Sequence, residues 1–191
     1  MDIDIDIKKD VNICKLFSNA IEASRFETYL NDITSHGVGH YFQHIPKDPL
    51  TSLSAIPYEE ANELGFFKID FLHVNALNDF TSNDELKELA NKEPDWSLLE
   101  HKYMVQKLFH IANHYDVVNR IKPHSILELS DVIAIIRPNK IKLLDKYLQN
   151  PIKMRSELYT RRSPEDMRKS HCIPYAQIII AQMNLISMGR L

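Results

Sequence analysis

Glycine is scarce in this chain, and that scarcity excludes two large groups of nucleotide-binding folds. The 191 residues include 4 glycines, about 2% where roughly 7% is usual. They are Gly37, Gly39, Gly65 and Gly189, so neither GxGxxG nor GxxxxGK[ST] occurs. Both patterns depend on glycine because the backbone must approach phosphate groups closely. The dinucleotide-binding and P-loop folds built on these patterns are therefore excluded.

The cysteines and the apolar segments exclude further classes. Cys14 and Cys172 are too few for a disulfide framework, and no CxxC pair is present for a zinc ribbon. The first ten residues are acidic where a secretory signal peptide is basic, and they lack its apolar stretch. The apolar run around residues 178–180 is too short to cross a bilayer. We therefore expect a cytoplasmic protein with reduced thiols and no membrane partner.

The net charge of -3 conceals a strong asymmetry along the chain. Residues 1–100 carry 8 basic and 19 acidic side chains, whereas residues 137–169 carry 10 basic and 4 acidic ones. One interpretation is an acidic solvated surface followed by a basic helix. The other is an acidic metal centre with a basic wall that faces phosphate groups.

Residue periodicity predicts an α+β fold, with strands in the first part and helices in the second. The predicted strands are 2–7, 40–45 and 66–72, with a helical pattern over 11–30, a loop over 31–39 and helical turns over 58–64 that end at Gly65. The predicted helices of the second part are 83–91, 96–115, 124–135, 140–149 and 164–188. We expect two regions, residues 1–80 and residues 81–191.

Residues 2–7 alternate strictly between aspartate and isoleucine, which is the period of a strand. Asp2, Asp4 and Asp6 would share one face, because residues i, i+2 and i+4 of a strand point the same way. One interpretation is a solvated edge strand whose charges deter aggregation. The other is a cation site, because neighbouring carboxylates repel one another unless a cation offsets them.

Asp70 lies in the apolar and aromatic segment 66–72, whose composition predicts a buried strand. A buried aspartate is uncommon unless it is paired with a cation or bound to a metal. A salt bridge to a buried cation is one explanation. The other is a divalent-metal site made with carboxylates of the strand at 2–7, of the kind that holds two Mg²⁺ ions for phosphoryl or nucleotidyl transfer.

Five segments, in the same order along the chain, resemble motifs of one enzyme family. They are DIDIDI at 2–7, SHGVG at 35–39, GFFKIDFL at 65–72, LSDVIAIIRP at 129–138 and KSHCIPYA at 169–176. They are similar to the PDxDxDF, THAAG, GLxKxDFL, LxxLxALxRP and KSHxxxYA segments of bacterial C-family replicative DNA polymerases, the DNA polymerase III alpha subunits. The resemblance covers nearly the whole chain.

The resemblance implies a nucleotidyltransferase-type (polymerase beta-like) palm over residues 1–80 and a reduced helical fingers lobe over residues 81–191. It implies catalytic and metal-binding roles for Asp2, Asp4 and Asp70, which would hold two Mg²⁺ ions. Lys68, two residues before Asp70, would either neutralise phosphate charge or pair with Asp70.

Four further residues would serve the nucleotide under the same resemblance. Arg137, Lys169, His171 and His36 would bind the incoming dNTP beside a DNA primer-template. The alternative for Arg137, Lys169 and His171 is that they are ordinary charged surface residues. Arg137 could also stabilise the end of a helix. The spacing of His36, His40 and His44 would place all three on one face of a strand, but no carboxylate ligand accompanies them in the sequence, so a zinc site is not expected.

The chain also departs from the family pattern. The Gly-Ser-rich loop that holds the triphosphate in the family has no counterpart, and the thumb insertion between the first aspartates and SHGVG is missing. We therefore expect either a minimal DNA polymerase, compact as in a phage gene, or the catalytic part of a split polymerase whose protein partner supplies these segments. The alternatives are a non-catalytic palm-derived module that modulates a replisome, and a nucleotidyltransferase with another acceptor.

Overall fold

A computed structural model of the chain describes residues 3–9, 11–163 and 166–191. The fold is mixed α+β with a small four-stranded mixed sheet, which confirms the predicted class. The chain divides into two units, residues 1–77 and residues 78–191. Asp2, one of the three predicted catalytic aspartates, lies outside the described residues.

The first unit contains the sheet. Its elements are β1 (Ile3–Ile7), α1 (Ile13–Leu16), β2 (Ile21–Glu27), β3 (Asp32–Tyr41), α2 (Tyr58–Glu63) and β4 (Ile69–His73). The strand order is β1-β4-β3-β2, with β1 and β4 parallel and the other two pairs antiparallel. The aspartate-isoleucine alternation thus forms an edge strand, paired with the strand that carries Asp70.

A small apolar core supports this sheet. Its buried members are Ala23, Tyr41, Ile45 and Ala61, and partly buried Ile21, Ile56, Tyr58 and Phe66 pack against them. The helix α2 ends before Gly65, which takes a φ of +89°, so the helical turns predicted there are confirmed.

Three predictions for the first unit are wrong: the helical pattern over 11–30, the loop over 31–39, and the strand over 40–45, of which only residues 40 and 41 belong to a strand. The chain instead forms α1 and then the β2–β3 hairpin, which turns at Asn31 with a φ of +50°. Several apolar side chains that suggested a helix are exposed, including Leu16, Phe26 and Leu30. The helical spacing of these residues therefore does not correspond to a buried face of a helix. Pairing between the two strands of the hairpin determines the local structure instead.

A large bulge interrupts the hairpin in β3. Glu22 pairs with His40 and Ser24 pairs with Ser35, so β3 carries extra residues between these two pairings. Gly37, inside the bulge, has a φ of +66°, a backbone conformation that glycine adopts without steric cost. The bulge changes the direction of the side chains that follow Ser35.

The second unit is helical. Its α-helices are α3 (Asn83–Asn91), α4 (Lys102–Val105), α5 (Tyr115–Ile121), α6 (Ile126–Ile135), α7 (Leu144–Gln149), α8 (Pro151–Leu158) and α9 (Lys169–Ser187). Short 3-10 helices occupy Asn75–Asp79, Trp96–Glu100 and Ile141–Leu143. The core of this unit is built on α6 and α9, most of whose residues are buried.

The helix predictions for this unit are confirmed for 83–91 and, apart from their ends, for 124–135 and 140–149. The helical pattern predicted over 96–115 is present only in part, because the chain there makes two short helices and turns at His110, whose φ is +60°. Pro151 begins α8, which the sequence analysis did not predict. The backbone N–H groups of the first helical turn have no partner within the helix, so a proline there loses no hydrogen bond. Proline can therefore begin a helix as well as end one.

Among the described residues, no helix combines the length and apolar character needed to cross a membrane.

Candidate functional site

Asp4 and Asp70 are direct partners in the parallel pairing of β1 with β4. Because paired residues of adjacent strands point to the same face of a sheet, the two carboxylates project together. Neighbouring strands lie about 4.8 Å apart. The sheet therefore brings together two of the three aspartates that the sequence singled out, although 65 residues separate them in the chain.

Lys68, the residue immediately before β4, forms an ion pair with Asp70. Lys68 is 5% exposed, and its ammonium nitrogen bonds to Asp70 Oδ2 and lies 5.2 Å from the ring centroid of Tyr58. A buried ammonium needs such partners, because its desolvation is costly. The salt bridge considered for Asp70 is thus present, and the cation comes from two residues away.

His36 reaches the same site from the bulge in β3. Its ring stacks on Tyr58, with centroids 4.6 Å apart and an interplanar angle of 30°. Its Nε2 lies 3.8 Å from Asp70 Oδ1. Burial lowers the pKa of His36, and the positive charge of Lys68 lowers it further. The imidazole is therefore neutral at neutral pH.

Gly39 permits this close packing. It pairs with Asp70 across the antiparallel β3–β4 contact. A Cβ at residue 39 would lie 2.6 Å from His36 Cδ2, 2.9 Å from Asp70 Oδ1 and 3.0 Å from Lys68 Cδ. The glycine therefore provides the volume that these three side chains occupy.

Two polar atoms of this cluster are buried without a hydrogen-bond partner in the described part of the chain. They are His36 Nε2 and Asp70 Oδ1, the two atoms that face each other. Buried polar atoms are nearly always hydrogen-bonded, so an exception requires an explanation such as an ion or a water molecule.

The carboxylates of the described residues are a suitable type of ligand for Mg²⁺. Mg²⁺ prefers oxygen ligands, and proteins hold it through one or two carboxylates together with water and substrate phosphates. Asp4 and Asp70 supply such oxygens on one face, and Asp70 Oδ1 has no hydrogen-bond partner within the described ranges. In the same part of the chain, no three His, Cys, Asp or Glu side chains are close enough to hold a metal ion by themselves. Water or substrate would therefore have to complete the coordination.

The other predicted nucleotide-binding residues lie in the second unit. Arg137 follows α6, donates to Met167 Sδ at 2.6 Å and has a buried Nε without a hydrogen-bond partner among the described residues. Lys169 begins α9, with its ammonium nitrogen 5.9 Å from the ring centroid of Tyr159, and His171 lies in the first turn of that helix. They belong to a different unit from the carboxylates and His36.

The three closely spaced histidines do not share a face, contrary to the sequence-based expectation. His36 joins the Asp70 cluster, whereas His40 is buried against Phe71, with ring centroids 5.7 Å apart. His44 lies beyond the end of β3 and is exposed. The bulge at Gly37 separates the first two, because it breaks the period-2 alternation between them.

A buried carboxylate in the second unit was missed by the sequence analysis. Asp131 of α6 is fully buried and accepts hydrogen bonds from Tyr147 at 2.7 Å, Tyr159 at 2.7 Å and Arg155 at 2.8 Å. A charge inside an apolar run, the signal that singled out Asp70, is also present at Asp131. Three donors satisfy its carboxylate, which indicates a structural role in linking α6, α7 and α8.

Comparisons with known proteins do not assign the chain to a family. No protein-family model matches it, and a search of curated proteins finds no significant match.

Proposed function

We propose that this chain is a metal-dependent nucleotidyltransferase of the polymerase type, which adds dNTPs to a DNA primer 3′ end. The observation that carries the proposal is the direct pairing of Asp4 with Asp70 on adjacent parallel strands. Two carboxylates on one sheet face are the minimum that a two-metal site needs from the protein. The order of the five resembling segments supports the same activity.

The chain's own residues have distinct roles in this proposal. Asp4 and Asp70 hold Mg²⁺, which when bound lowers the pKa of the primer 3′-hydroxyl and offsets charge on the leaving pyrophosphate. Lys68 bonds to Asp70 Oδ2 and so orients the carboxylate. The resemblance also gives a catalytic role to Asp2, which lies outside the described residues.

The triphosphate requires cations, since no glycine-rich phosphate loop is present in the sequence. The resemblance gives phosphate-binding roles to Arg137, Lys169 and His171, which lie in the second unit, and we propose that a protein partner supplies a phosphate-binding loop. The second unit contains the whole basic segment 137–169, which suits a phosphate-bearing ligand.

A non-catalytic module is the second candidate, and the Lys68–Asp70 ion pair favours it. An internal ammonium on Asp70 competes with a divalent cation for the carboxylate charge. Such a module would bind DNA or a replisome protein without transferring nucleotides.

Primer extension with Mg²⁺ and dNTPs tests the proposal. The purified chain is compared with Asp70→Asn and with the matched control Asp32→Asn, which removes an exposed carboxylate from the start of β3. We expect a loss of at least 100-fold for Asp70→Asn and less than a twofold change for Asp32→Asn. Equal incorporation by wild type and Asp70→Asn would contradict the proposal.

A second measurement separates the candidates. The double variant with Asp4→Asn and Asp70→Asn is tested for DNA binding, and the wild type is tested for nucleotide incorporation in the presence of a cell extract as a source of partners. DNA binding by the double variant, together with no incorporation by the wild type, would support the non-catalytic module. Incorporation that does not depend on the template would point to a nucleotidyltransferase with another acceptor.

A further inference from the structure

A cavity of about 260 Å³ lies in the second unit, where the turn after α6 meets the segment after α8. Its lining residues are Asn139, Lys140, Lys142, Leu143, Glu157, Arg162, Ser163 and Asp166. All but one of these side chains are polar, and three carry a positive charge. The volume is several times the roughly 30 Å³ of a water molecule, so the cavity can admit a small polar group.

One carboxylate of the lining is shielded from any ligand. Asp166 Oδ2 accepts hydrogen bonds from the backbone N–H groups of Arg162 and Ser163, at 2.9 and 3.2 Å. The same oxygen lies 3.7 Å from the ammonium nitrogen of Lys140, which is itself buried. The Asp166 side chain is 1% exposed and its Oδ1 atom is buried, so the carboxylate presents almost no surface to the cavity.

The accessible charges around the cavity are mainly positive. Lys142 is exposed and forms no ion pair within the described ranges. The Arg162 side chain is 66% exposed, and its Nη1 lies 3.6 Å from Glu157 Oε1. An exposed ion pair of this kind is weak, so the guanidinium can turn to another anion. Two cations and one carboxylate leave an excess of one positive charge, equal in size to the negative charge of one phosphodiester.

Two lysines beyond the cavity extend this positive surface. Lys146 follows Lys142 by four residues in consecutive helical turns, a spacing that makes the two side chains neighbours. Lys153 lies in the first turn of α8. Lys146 and Lys153 are exposed and have no ion-pair partner in the part of the chain that the structure describes. The acidic residue between the first two lysines, Asp145, is paired with Arg120. Such a surface suits a polymer with several phosphates better than a single phosphate ion.

We propose that this cavity and the adjoining lysines bind the phosphodiester backbone of DNA. Lys142 and Arg162 contact the phosphate that enters the cavity, since ammonium and guanidinium groups are the usual phosphate-binding side chains of proteins. Lys146 and Lys153 attract neighbouring phosphates. None of these four residues is among those to which the resemblance gives nucleotide-binding roles. The inference rests on the proposed function for the identity of the polyanion as DNA.

The salt dependence of DNA binding tests this inference without measuring activity. Fluorescence anisotropy of a labelled primer-template is measured at about 50–300 mM NaCl for the full chain and for the triple variant Lys142→Gln, Lys146→Gln, Arg162→Gln. We expect affinity to fall at least tenfold in the triple variant. The slope of log K against log salt should become shallower by about 2–3, because each phosphate contact contributes about 0.9.

A second triple variant, Lys87→Gln, Lys92→Gln, Lys102→Gln, is the matched control, because it removes the same charge from three other exposed positions of the second unit. Its slope should change by less than about 1. Equal losses of affinity in the two variants would reflect net charge alone and would overturn the inference, as would absence of DNA binding by the wild type.

Lysine footprinting on the wild-type chain decides if the variant fails to fold. DNA should protect Lys142 and Lys146 from an amine-reactive reagent and leave Lys87 reactive, whereas equal labelling with and without DNA would overturn the inference. A free nucleotide is the other source of phosphate. Loss of dNTP binding with unchanged DNA affinity in the variant that carries Arg162→Gln would assign the cavity to a nucleotide and also overturn it.

The two proposals fail in different ways. Unchanged DNA affinity in the variant, with Mg²⁺-dependent incorporation by the wild type, rejects only this inference. Reduced DNA affinity in the variant, with no incorporation by the wild type, rejects only the proposed function.

Discussion

Gly39 and Asp70 are partners on neighbouring antiparallel strands, and an added Cβ at Gly39 would lie 2.9 Å from Asp70 Oδ1. The same Cβ would come closer still to His36. A glycine with ordinary strand dihedrals is thus required here by its neighbours and not by its own backbone conformation. It allows an imidazole, an ammonium and a carboxylate to pack on one sheet face.

Gly39→Ala should destabilise the protein by about 1–3 kcal/mol, because the methyl group overpacks the cluster. Urea unfolding of Gly39→Ala and wild type measures this change.

Gly65→Ala is the control for this change. Gly65 has a φ of +89° and open space around its Cβ position, so alanine there should cost about 1–2 kcal/mol through backbone strain alone. Equal stability of Gly39→Ala and wild type would contradict the packing explanation.

Asp131→Asn should cost about 3 kcal/mol of unfolding free energy. The substitution removes the charge that faces Arg155 and places an amide donor among hydroxyl and guanidinium donors. Chemical denaturation measures the change. Asp145→Asn, which breaks the exposed ion pair with Arg120, should cost under about 1 kcal/mol. Similar costs for the two variants would show that the buried network is not important for stability.

His110 should make folding stability depend on pH. Burial, with a smaller contribution from the Arg137 charge, lowers the pKa of His110 to about 4. The unfolded chain takes up a proton near pH 6.5, whereas the folded chain does so only near pH 4, so stability falls as the pH drops through this window.

His110→Asn should reduce the loss of folding stability between pH 7 and pH 5. Urea unfolding at pH 7, 6 and 5 measures this loss. Asparagine tolerates the positive φ of this position, so the backbone is preserved. His101→Asn, at an exposed histidine for comparison, should retain the wild-type pH dependence. An unchanged slope in His110→Asn would contradict the assignment.

The two thiols should differ strongly in reactivity. Cys14 is exposed, whereas Cys172 is fully buried. Burial raises the pKa of Cys172 to about 12, so almost none of it is thiolate at pH 8. Labelling with a thiol-reactive disulfide reagent at pH 8 should release one equivalent quickly and the second only after unfolding. Cys14→Ser should abolish the fast phase, and two fast phases in the wild type would contradict the buried position of Cys172.

Local pattern was sufficient to predict several elements. The alternation in residues 3–7 and the aromatic segment around Asp70 were both identified as strands, and both belong to the sheet. Helix α3 was predicted to the residue, since Ser82 accepts from the backbone N–H of Glu85 in an N-terminal cap that short-range sequence encodes. The β2–β3 hairpin was not predicted, because its exposed apolar residues imitate a helical stripe.

The sequence by itself determined which chemical groups are available: an alternating row of aspartates, a lysine two residues before Asp70 and no glycine-rich phosphate loop. Only the tertiary structure decided that Asp4 pairs with Asp70, and that His36 instead of His40 faces it. The physical reason is that strand register and a three-dimensional bulge depend on contacts between residues far apart in the chain. Sequence periodicity predicts which face of its own strand a side chain occupies, but strand pairing decides which side chains of different strands become neighbours.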